Sequence, residues 1–368
     1  MDFTFTEDQL ALRDSVREFL QHEVTPTSIR QRWETQSDDG ELWQKMVELG
    51  LPAMLVPEDF GGLGLSEVDF VLLAEECGKV ALPGPLVVSA LVATPMLAAL
   101  APNSQRCADV LGALATGEAR VAVQHWINPY VNNADTADWL ILPNGDEVHL
   151  VPKAQVKLTQ HKSVDPSRRL FRVEWTPSRE TVVCNGTEGA DLWHASLNRG
   201  ALGAAAQLLG LSQQMVAMAV KYSTDRQQFG KPIGSFQAVK HLLANCAVKY
   251  EFARAPVYRA AYTTTVNPTR GDFAVSCAKV AAGEAALLSA KNSIQVHGAM
   301  GYTWECDLHI WMKRAWTLDK TWGDPGFHKN RVHEWLLNER ALIGAENTFG
   351  RLSSFPSEES QKSGTGVV

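Results

Sequence analysis

The stretch DRQQFGKPIGSFQAVKHLLA, residues 225–244, places a cation, amides and aromatic rings between two long helical segments. Arg226 closes the first segment, Gln228 and Phe229 lie in the loop, and Gln237 opens the second segment. A guanidinium can bind a pyrophosphate, and a helix N-terminus favours anions. The stretch therefore predicts contacts to a large anionic cofactor. The competing interpretation is that Arg226 only caps a helix dipole and that the aromatic and amide side chains are core and solvent groups.

A second stretch, SIQVHGAMGYTWECDLHIWMKRAWTLDKTWGDP at residues 293–325, contains a glycine-rich break between two helices. The first helix ends near Gln295, and Gly298 allows a ligand to approach the backbone closely. His297 could face such a ligand, although a histidine satisfied in the core is an equally good interpretation. The helix after the break has an apolar stripe that we expect to be buried, namely Leu308, Trp311, Met312, Ala315 and Trp316.

The rest of the chain has a pattern of helices, then short strands, then helices. Thr6 to Gln9 form a capping box, and NGDE at residues 144–147 fits a hairpin turn among short apolar runs. Long helices are predicted at about 198–225, 234–263, 272–296, 304–318 and 326–342. We predict an α+β, mainly α fold: an N-terminal helical domain at about 1–119, a small middle β domain at 120–190, a C-terminal helical bundle at 191–345 and a disordered tail at 346–368.

Composition excludes several classes of function. The net charge of -7 argues against nucleic acid as a partner, because phosphate binding needs a positive field. No apolar run reaches the roughly 18 to 20 residues of a membrane span, and the acidic N-terminus lacks the plan of a signal peptide. The six cysteines form no CxxC pair, which indicates reduced thiols rather than a zinc site. We therefore expect a cytoplasmic protein with no membrane partner.

In this order and spacing, the two stretches resemble the acyl-CoA dehydrogenase family of flavoproteins. RQQFGKPIGSFQ is similar to the family's Arg-x-x-Phe-Gly…Phe-Gln signature, and QVHGAMGYT to its Gln-x-x-Gly-Gly-x-Gly segment. TEDQLALRDSVREFL and GLPAMLVPEDFGGLGLS near the N-terminus also fit, so the resemblance covers about residues 1–342. It implies an N-terminal helical domain, a middle β domain and a C-terminal four-helix bundle, usually in a dimer of dimers.

The resemblance also implies FAD as the cofactor and an acyl-CoA as the substrate, with electron-transfer flavoprotein or a similar electron acceptor. It assigns contacts with the flavin's pyrophosphate and adenosine part to Arg226, Gln228, Phe229 and Gln237. It places Gln295, His297 and Gly298 along the same cofactor, which would be held mainly by the neighbouring subunit.

The sequence departs from the family where the catalytic base is expected. The family's glutamate lies either in a loop after the Gln-x-x-Gly segment or early in the first long helix of the bundle. The corresponding positions here are Trp322 and Gly200, and no acid lies between Asp191 and Asp225. The nearest carboxylates to the loop position are Asp319 and Asp324.

The middle domain is also shorter than the family pattern. In family members, this region carries a Thr-Glu-Pro-Gly-x-Gly-Ser-Asp turn that holds the flavin. The turn is missing here, where the corresponding segment is VAVQHWINPYVNNADTADWLIL. Because it lacks both the glutamate and the flavin-binding turn, the chain resembles the base-lacking subunits of actinobacterial α2β2 steroid-CoA dehydrogenases. That resemblance implies a partner chain carrying the glutamate, and a steroid side-chain thioester oxidised to the 2,3-enoyl product.

Two other interpretations stay open at this point. The chain could be a self-sufficient dehydrogenase or oxidase that uses Asp324 or Asp319 as the base. It could also be a non-enzymatic binding or regulatory protein.

Overall fold

A computed structural model describes residues 4–35, 40–266 and 271–337. The N-terminal part is helical, as the sequence predicts, and its first helix begins at the predicted capping box, where Gln9 N donates to Thr6 Oγ1 at 3.2 Å. Its helices are α1 (Glu7–Glu23), α2 (Pro26–Thr35), α3 (Gly40–Glu48), α4 (Glu67–Lys79), α5 (Leu86–Val88), α6 (Thr94–Leu100) and α7 (Gln105–Ala115), with a π-helical turn at Ser89–Ala93 joining α5 to α6.

The middle part consists of two small sheets. Their strands are β1 (Val121–Val123), β2 (Val131–Asn132), β3 (Trp139–Asn144), β4 (Glu147–Pro152), β5 (Lys157–His161), β6 (Leu170–Glu174) and β7 (Val182–Cys184). One sheet has the order β1-β3-β4-β7 and the other β2-β6-β5. The hairpin predicted at NGDE is confirmed, because Asn144 pairs with Glu147 and Gly145 adopts a φ of 63°.

The C-terminal part is a bundle of long helices. Its elements are α8 (Gly186–Asp225), the short hairpin strands β8 (Gln227–Gln228) and β9 (Lys231–Pro232), α9 (Gln237–Val266), α10 (Asp272–His297), α11 (Leu308–Lys320) and α12 (Pro325–Leu337). Together with the helical N-terminal part and the small sheets, this bundle confirms the predicted α+β, mainly α fold.

The N-terminal helices dock on the bundle through close backbone contact between α4 and α8. A Cβ added to Gly210 would lie 2.7 Å from Lys79 N, and one added to Gly78 would lie 2.8 Å from Gln207 Cα. A side chain at either position would collide with the backbone of the other helix, so only glycine permits the two helices to lie this close. A single large hydrophobic core then continues from α4 into α8 and α10.

Two predicted helix starts are wrong. Helix α8 begins at Gly186, earlier than the predicted start near 198, because Gly186 and Gly189 weaken the local helix signal. Gly189 instead lets the helix approach the β3–β4 turn, and the buried Trp193 donates from Nε1 to Glu147 O at 3.1 Å. Helix α11 begins at Leu308 rather than near 304. The end of the last predicted helix and the predicted tail at 346–368 lie outside the described residues, and the domain limits stay predictions.

The prediction of a buried stripe on α11 is correct except at one position. Leu308, Trp311, Met312 and Ala315 are buried, whereas Trp316 is 45% exposed. The helix turns about 100° per residue, so the residue after Ala315 lies at the edge of the buried face, which continues at Leu318.

In the part of the chain that the structure describes, two segments have the length and average composition of a membrane span, although neither is an uninterrupted apolar run. They are Leu86–Asn103 and Asp272–Tyr302, with mean hydropathies of 1.7 and 1.4. The fold buries 67% and 56% of the respective windows, which is typical of core helices in a folded domain.

Candidate functional site

Trp322 packs directly against Gly200. A Cβ built on Gly200 would lie only 2.6 Å from Cε3 of the indole, and Trp322 is 3% exposed. The two positions at which the family pattern places a glutamate are therefore neighbours in space, one on α8 and one after α11. Here an indole fills the space between them, and the glycine makes room for it.

The loop that carries Trp322 is held in an uncommon backbone conformation. Trp322 has a φ of 58° and Gly323 a φ of 94°. The left-handed region costs a residue with a Cβ about 1 to 2 kcal/mol, so surrounding contacts must compensate. The Trp322 backbone N–H donates to Asn128 Oδ1 at 2.9 Å, and His328 Nε2 lies 2.8 Å from the Trp322 carbonyl oxygen.

A buried lysine holds the same loop from α10. Lys279 Nζ donates to the carbonyl oxygens of Asp319 at 2.9 Å and of Gly323 at 3.4 Å. Burial lowers the pKa of Lys279 to about 8, against the opposing charge of Asp319. The ammonium thus satisfies carbonyls at the end of α11, where backbone acceptors have no partner within the helix.

His328 is neutral in the folded protein. Burial, together with the nearby charge of Lys279, lowers its pKa to about 3. A neutral imidazole satisfies both of its contacts, because Nε2–H can donate to the Trp322 carbonyl while Nδ1 accepts from the Ser276 hydroxyl at 3.1 Å.

Aromatic rings extend from Trp322 towards the small sheets. The ring centroid of His125 lies 5.5 Å from that of Trp322 and 5.8 Å from that of Trp193. Burial lowers the pKa of His125 to about 4, so this imidazole is also neutral. Trp126 lies against His125 with ring centroids 3.9 Å apart and ring planes tilted by 35°, and it is 59% exposed. The Trp322 ring is therefore packed on its sheet-facing side against a neutral imidazole.

A cavity of about 50 Å³ remains beside Trp322. A water molecule occupies roughly 30 Å³ in the liquid, and pockets for drug-sized ligands have roughly 300 to 1,000 Å³. Of the residues that the structure describes, those lining the cavity include no Asp or Glu: Leu82, Gly84, Val87, Val88, Asn132, Ser167, Arg168, Gly200, Ala204, Gln207, Arg314, Leu318, Thr321 and Trp322. The cavity is too small for a flavin ring or a long acyl chain.

Neither candidate carboxylate of the loop lines this cavity. Asp319 is 1% exposed, and its Oδ1 faces Gly283 on α10. Asp324 is exposed and caps α12, because Phe327 N donates to Asp324 Oδ1 at 2.8 Å. The helix-capping role of Asp324 explains a carboxylate at this position without catalysis.

The residues of the first motif form an exposed arm, which we define as residues 226–237. Arg226, Gln228 and Gln237 are exposed, and Phe229 is 91% exposed with a φ of 55°. Hairpin pairing of Gln228 with Lys231 holds the tip away from the bundle. The arm is therefore accessible to a ligand from solvent.

The second motif meets the arm at the same end of the bundle. His297 is buried and stacks on Tyr222 with ring centroids 4.4 Å apart, and its Nδ1 lies 2.8 Å from Ser293 O. Gln295 and Gly298 are exposed. Of the seven residues assigned to the cofactor, six are thus accessible, whereas His297 is buried against Tyr222 of α8.

Sequence reasoning missed the residues that hold the Trp322 loop. Asn128, Lys279 and His328 come from a loop in the middle part, from α10 and from α12. No local motif marks these three residues. Each of them forms a hydrogen bond with a backbone group in or next to the Trp322 loop, and such a contact depends on how the helices and loops pack. The structure alone reveals them.

Family models match most of the described chain. The model described as "Acyl-CoA dehydrogenase, N-terminal domain" matches residues 6–118, and the one described as "Acyl-CoA dehydrogenase, C-terminal domain" matches residues 187–337. These matches flank the two small sheets.

Curated relatives extend along nearly the whole chain. The acyl-CoA dehydrogenase IpdE2 of Mycobacterium tuberculosis is 33% identical over 84% of this chain and 91% of its own. IpdE2 of Mycolicibacterium smegmatis is 31% identical over 87% and 96%. The acyl-CoA dehydrogenase FadE34 of Mycobacterium tuberculosis is 30% identical over 93% of this chain but only 49% of its own.

Solved structures share the fold. The ChsE4-ChsE5 complex of Mycobacterium tuberculosis includes a chain with a TM-score of 0.82 and 24% identity, over 92% of this chain and 99% of that one. Butyryl-CoA dehydrogenase of Megasphaera elsdenii gives a TM-score of 0.81 and 21% identity, over 92% and 100%. Identities this low establish the architecture alone.

Proposed function

This chain belongs to the acyl-CoA dehydrogenase family, whose members are oxidoreductases acting on CH–CH groups, and on that premise we propose that it is the base-lacking subunit of a hetero-oligomer. In this proposal the chain completes the FAD site of a related partner that carries the catalytic glutamate. The complex introduces a 2,3 double bond into a CoA thioester.

The observation that carries the proposal is the contact between Trp322 and Gly200. An active site of this family needs a base beside the substrate and room for the acyl chain. In this chain an indole occupies the space between the two expected base positions and leaves a cavity of about 50 Å³. The closed pocket supports a role in which chemistry takes place on another subunit.

The exposed arm supports the second half of the proposal. Arg226, Gln228, Phe229 and Gln237 are accessible and lie on one hairpin and the start of α9. Gln295 and Gly298 are also exposed, and His297 stacks on Tyr222 near the end of α8. In a complex these residues would bind the pyrophosphate and adenosine part of the FAD held by the partner. That flavin would supply the hydride acceptor for the reaction.

Two relatives fit a paired arrangement. FadE34 is about twice as long as the part that this chain matches, which leaves room in that protein for a second chain of similar size. The ChsE4-ChsE5 structure is a complex of two differently named proteins, and one of its chains has this fold. By analogy we propose an α2β2 assembly, a steroid side chain as the acyl group, electron-transfer flavoprotein or a similar acceptor, and a cytoplasmic location.

Co-expression with a related chain that carries the glutamate tests the proposal. We expect the two chains to purify together and to oxidise acyl-CoA thioesters. Replacing the partner's glutamate by glutamine should abolish turnover. Activity of this chain by itself would contradict the proposal.

The variant Asp324→Asn tests the loop carboxylate in that active complex. Asparagine is also a good helix cap, so we expect the fold to be kept and turnover to change less than about twofold. Asp319→Asn provides the matching test for the buried carboxylate. A loss of turnover of tenfold or more in Asp324→Asn, with flavin retained, would show that this chain supplies the base.

A further inference from the structure

The cavity beside Trp322 carries two arginines. Arg168 comes from the loop between β5 and β6, and Arg314 comes from α11. Ser167 and Thr321 add hydroxyl groups to the lining. A cavity walled in part by guanidinium groups differs in character from the apolar pocket that an acyl chain needs.

The carboxylate of Asp165 is already engaged by other donors. Arg314 Nε forms an ion pair with Asp165 Oδ2, and Arg314 Nη1 donates to Leu82 O at 2.6 Å. Ser167 N donates to the second carboxylate oxygen, Oδ1, at 3.0 Å. Asp165 therefore compensates Arg314 directly and affects Arg168 only through space.

Arg168 is the less compensated of the two cations. It donates from Nη1 to Thr317 O at 3.5 Å, which is long for an N–H···O hydrogen bond. Burial lowers its pKa to about 10, with Asp165 opposing and Arg314 reinforcing that shift. Two guanidinium groups thus share one carboxylate in a partly enclosed space, and an added anion would restore the balance.

Lys313 also faces Asp165 but has other partners. Its Nζ lies 4.6 Å from the ring centroid of Trp304 and 5.2 Å from that of Trp33. The two aromatic faces stabilise this ammonium. Among these three cations, Arg168 is therefore the one that has neither an ion pair with a carboxylate nor an aromatic face beside it in the described residues.

We propose that this cavity binds a small carboxylate, free or at the end of a longer ligand, with Arg168 as its principal cation. A guanidinium pairs with a carboxylate through two parallel N–H···O bonds. The Ser167 hydroxyl accepts from Trp33 Nε1 at 2.6 Å, so its own hydrogen can point to a ligand oxygen. The volume of about 50 Å³ suits a carboxylate group and excludes a bulky ligand. This site is separate from the flavin-completing role, because none of its lining residues belongs to the arm or to the other residues assigned to the cofactor.

Thermal unfolding of the lone chain in sodium acetate tests the site. Sodium chloride and sodium phosphate at the same ionic strength serve as comparison anions. We expect acetate to raise Tm in a saturable way, since a ligand that binds only the folded state stabilises it by RT ln(1 + [L]/Kd). Titration calorimetry with acetate should give a matching Kd.

Variants of the arginine identify the binding group. Arg168→Gln should lose the acetate-specific shift in Tm. Arg172→Gln, at an exposed arginine on β6, should keep it. Arg168→Lys keeps the charge but loses the paired hydrogen bonds, so its Kd for acetate should rise about tenfold or more. This variant provides the test if Arg168→Gln does not fold.

The proposal would be overturned if acetate shifted Tm no more than chloride does, or if Arg168→Gln kept the wild-type shift in Tm. A saturable shift with phosphate and none with acetate would overturn the assignment to a carboxylate. Because neither flavin nor partner is present, either result leaves the proposed subunit role untouched.

Discussion

The contact between Gly200 and Trp322 exchanges a carboxylate site for a packed indole. The backbone of α8 comes so close to the ring that only a hydrogen atom fits at position 200. At the same time Trp322 accepts a left-handed backbone conformation, which Asn128 and His328 stabilise. Both residues therefore depend on each other.

Gly200→Ala should destabilise the fold by about 1 to 3 kcal/mol, because the new methyl group would overlap the indole. Urea unfolding measures this change. In a Trp322→Ala background, the same substitution should be neutral or stabilising by about 1 kcal/mol, since alanine is the better helix former. Gly112→Ala, at an unobstructed glycine on α7, is the matched control and should not destabilise. Equal costs for Gly200→Ala in both backgrounds would disprove the packing account.

His328 should make stability depend on pH. The pKa of an unfolded histidine is about 6.5, whereas that of folded His328 is about 3. Between these values the unfolded state binds a proton that the folded state does not, so stability falls as the pH falls from about 6.5 to about 3. His328→Gln keeps a donor for the Trp322 carbonyl and should flatten the slope by up to about 1.4 kcal/mol per pH unit. The neutral-imidazole account fails if denaturation curves of both proteins keep the same pH slope.

At the scale of elements, the arm joins the end of α8 to the start of α9. Its tip residue Phe229 is almost fully exposed in a left-handed conformation that glycine would adopt without cost. An aromatic ring that is exposed to solvent and sits on a strained backbone points to a contact with a molecule other than this chain.

Phe229→Gly should therefore have opposite effects on the chain and on the complex. The lone chain should keep its stability or gain up to about 1 kcal/mol, because the backbone strain is relieved. The complex should lose flavin more readily on ultrafiltration. Phe252→Ala, at a phenylalanine that is 79% exposed on α9 outside the arm, is the control and should retain flavin. Equal flavin retention in all three complexes would remove the arm from the cofactor site.

The sequence predicts the secondary-structure elements better than the tertiary contacts between them. The capping box at Thr6, the hairpin at Asn144 and the apolar stripe of α11 follow from local patterns and are confirmed, apart from Trp316. The sequence does not predict the start of α8, because Gly189 serves a tertiary contact with the β3–β4 turn that helix propensity does not contain. Gly200 and Trp322 were both singled out from the sequence, yet their mutual contact depends on how α8 and α11 pack.

At the scale of the whole molecule, the chain has the architecture of its family but a closed pocket. The helices, the small sheets and the bundle are those of an acyl-CoA dehydrogenase. The interior beside Trp322 holds a small cavity with cationic walls, whereas the cofactor motifs face outward. We infer that the active unit is the complex rather than this chain.

The most direct test is the flavin content of the purified chain, alone and with its partner. The account predicts a colourless lone chain and a yellow complex with about one FAD per pair of chains. Trp322→Glu should leave the lone chain colourless and without dehydrogenase activity, because it restores a carboxylate but no flavin site. One FAD bound per lone wild-type chain would contradict the account.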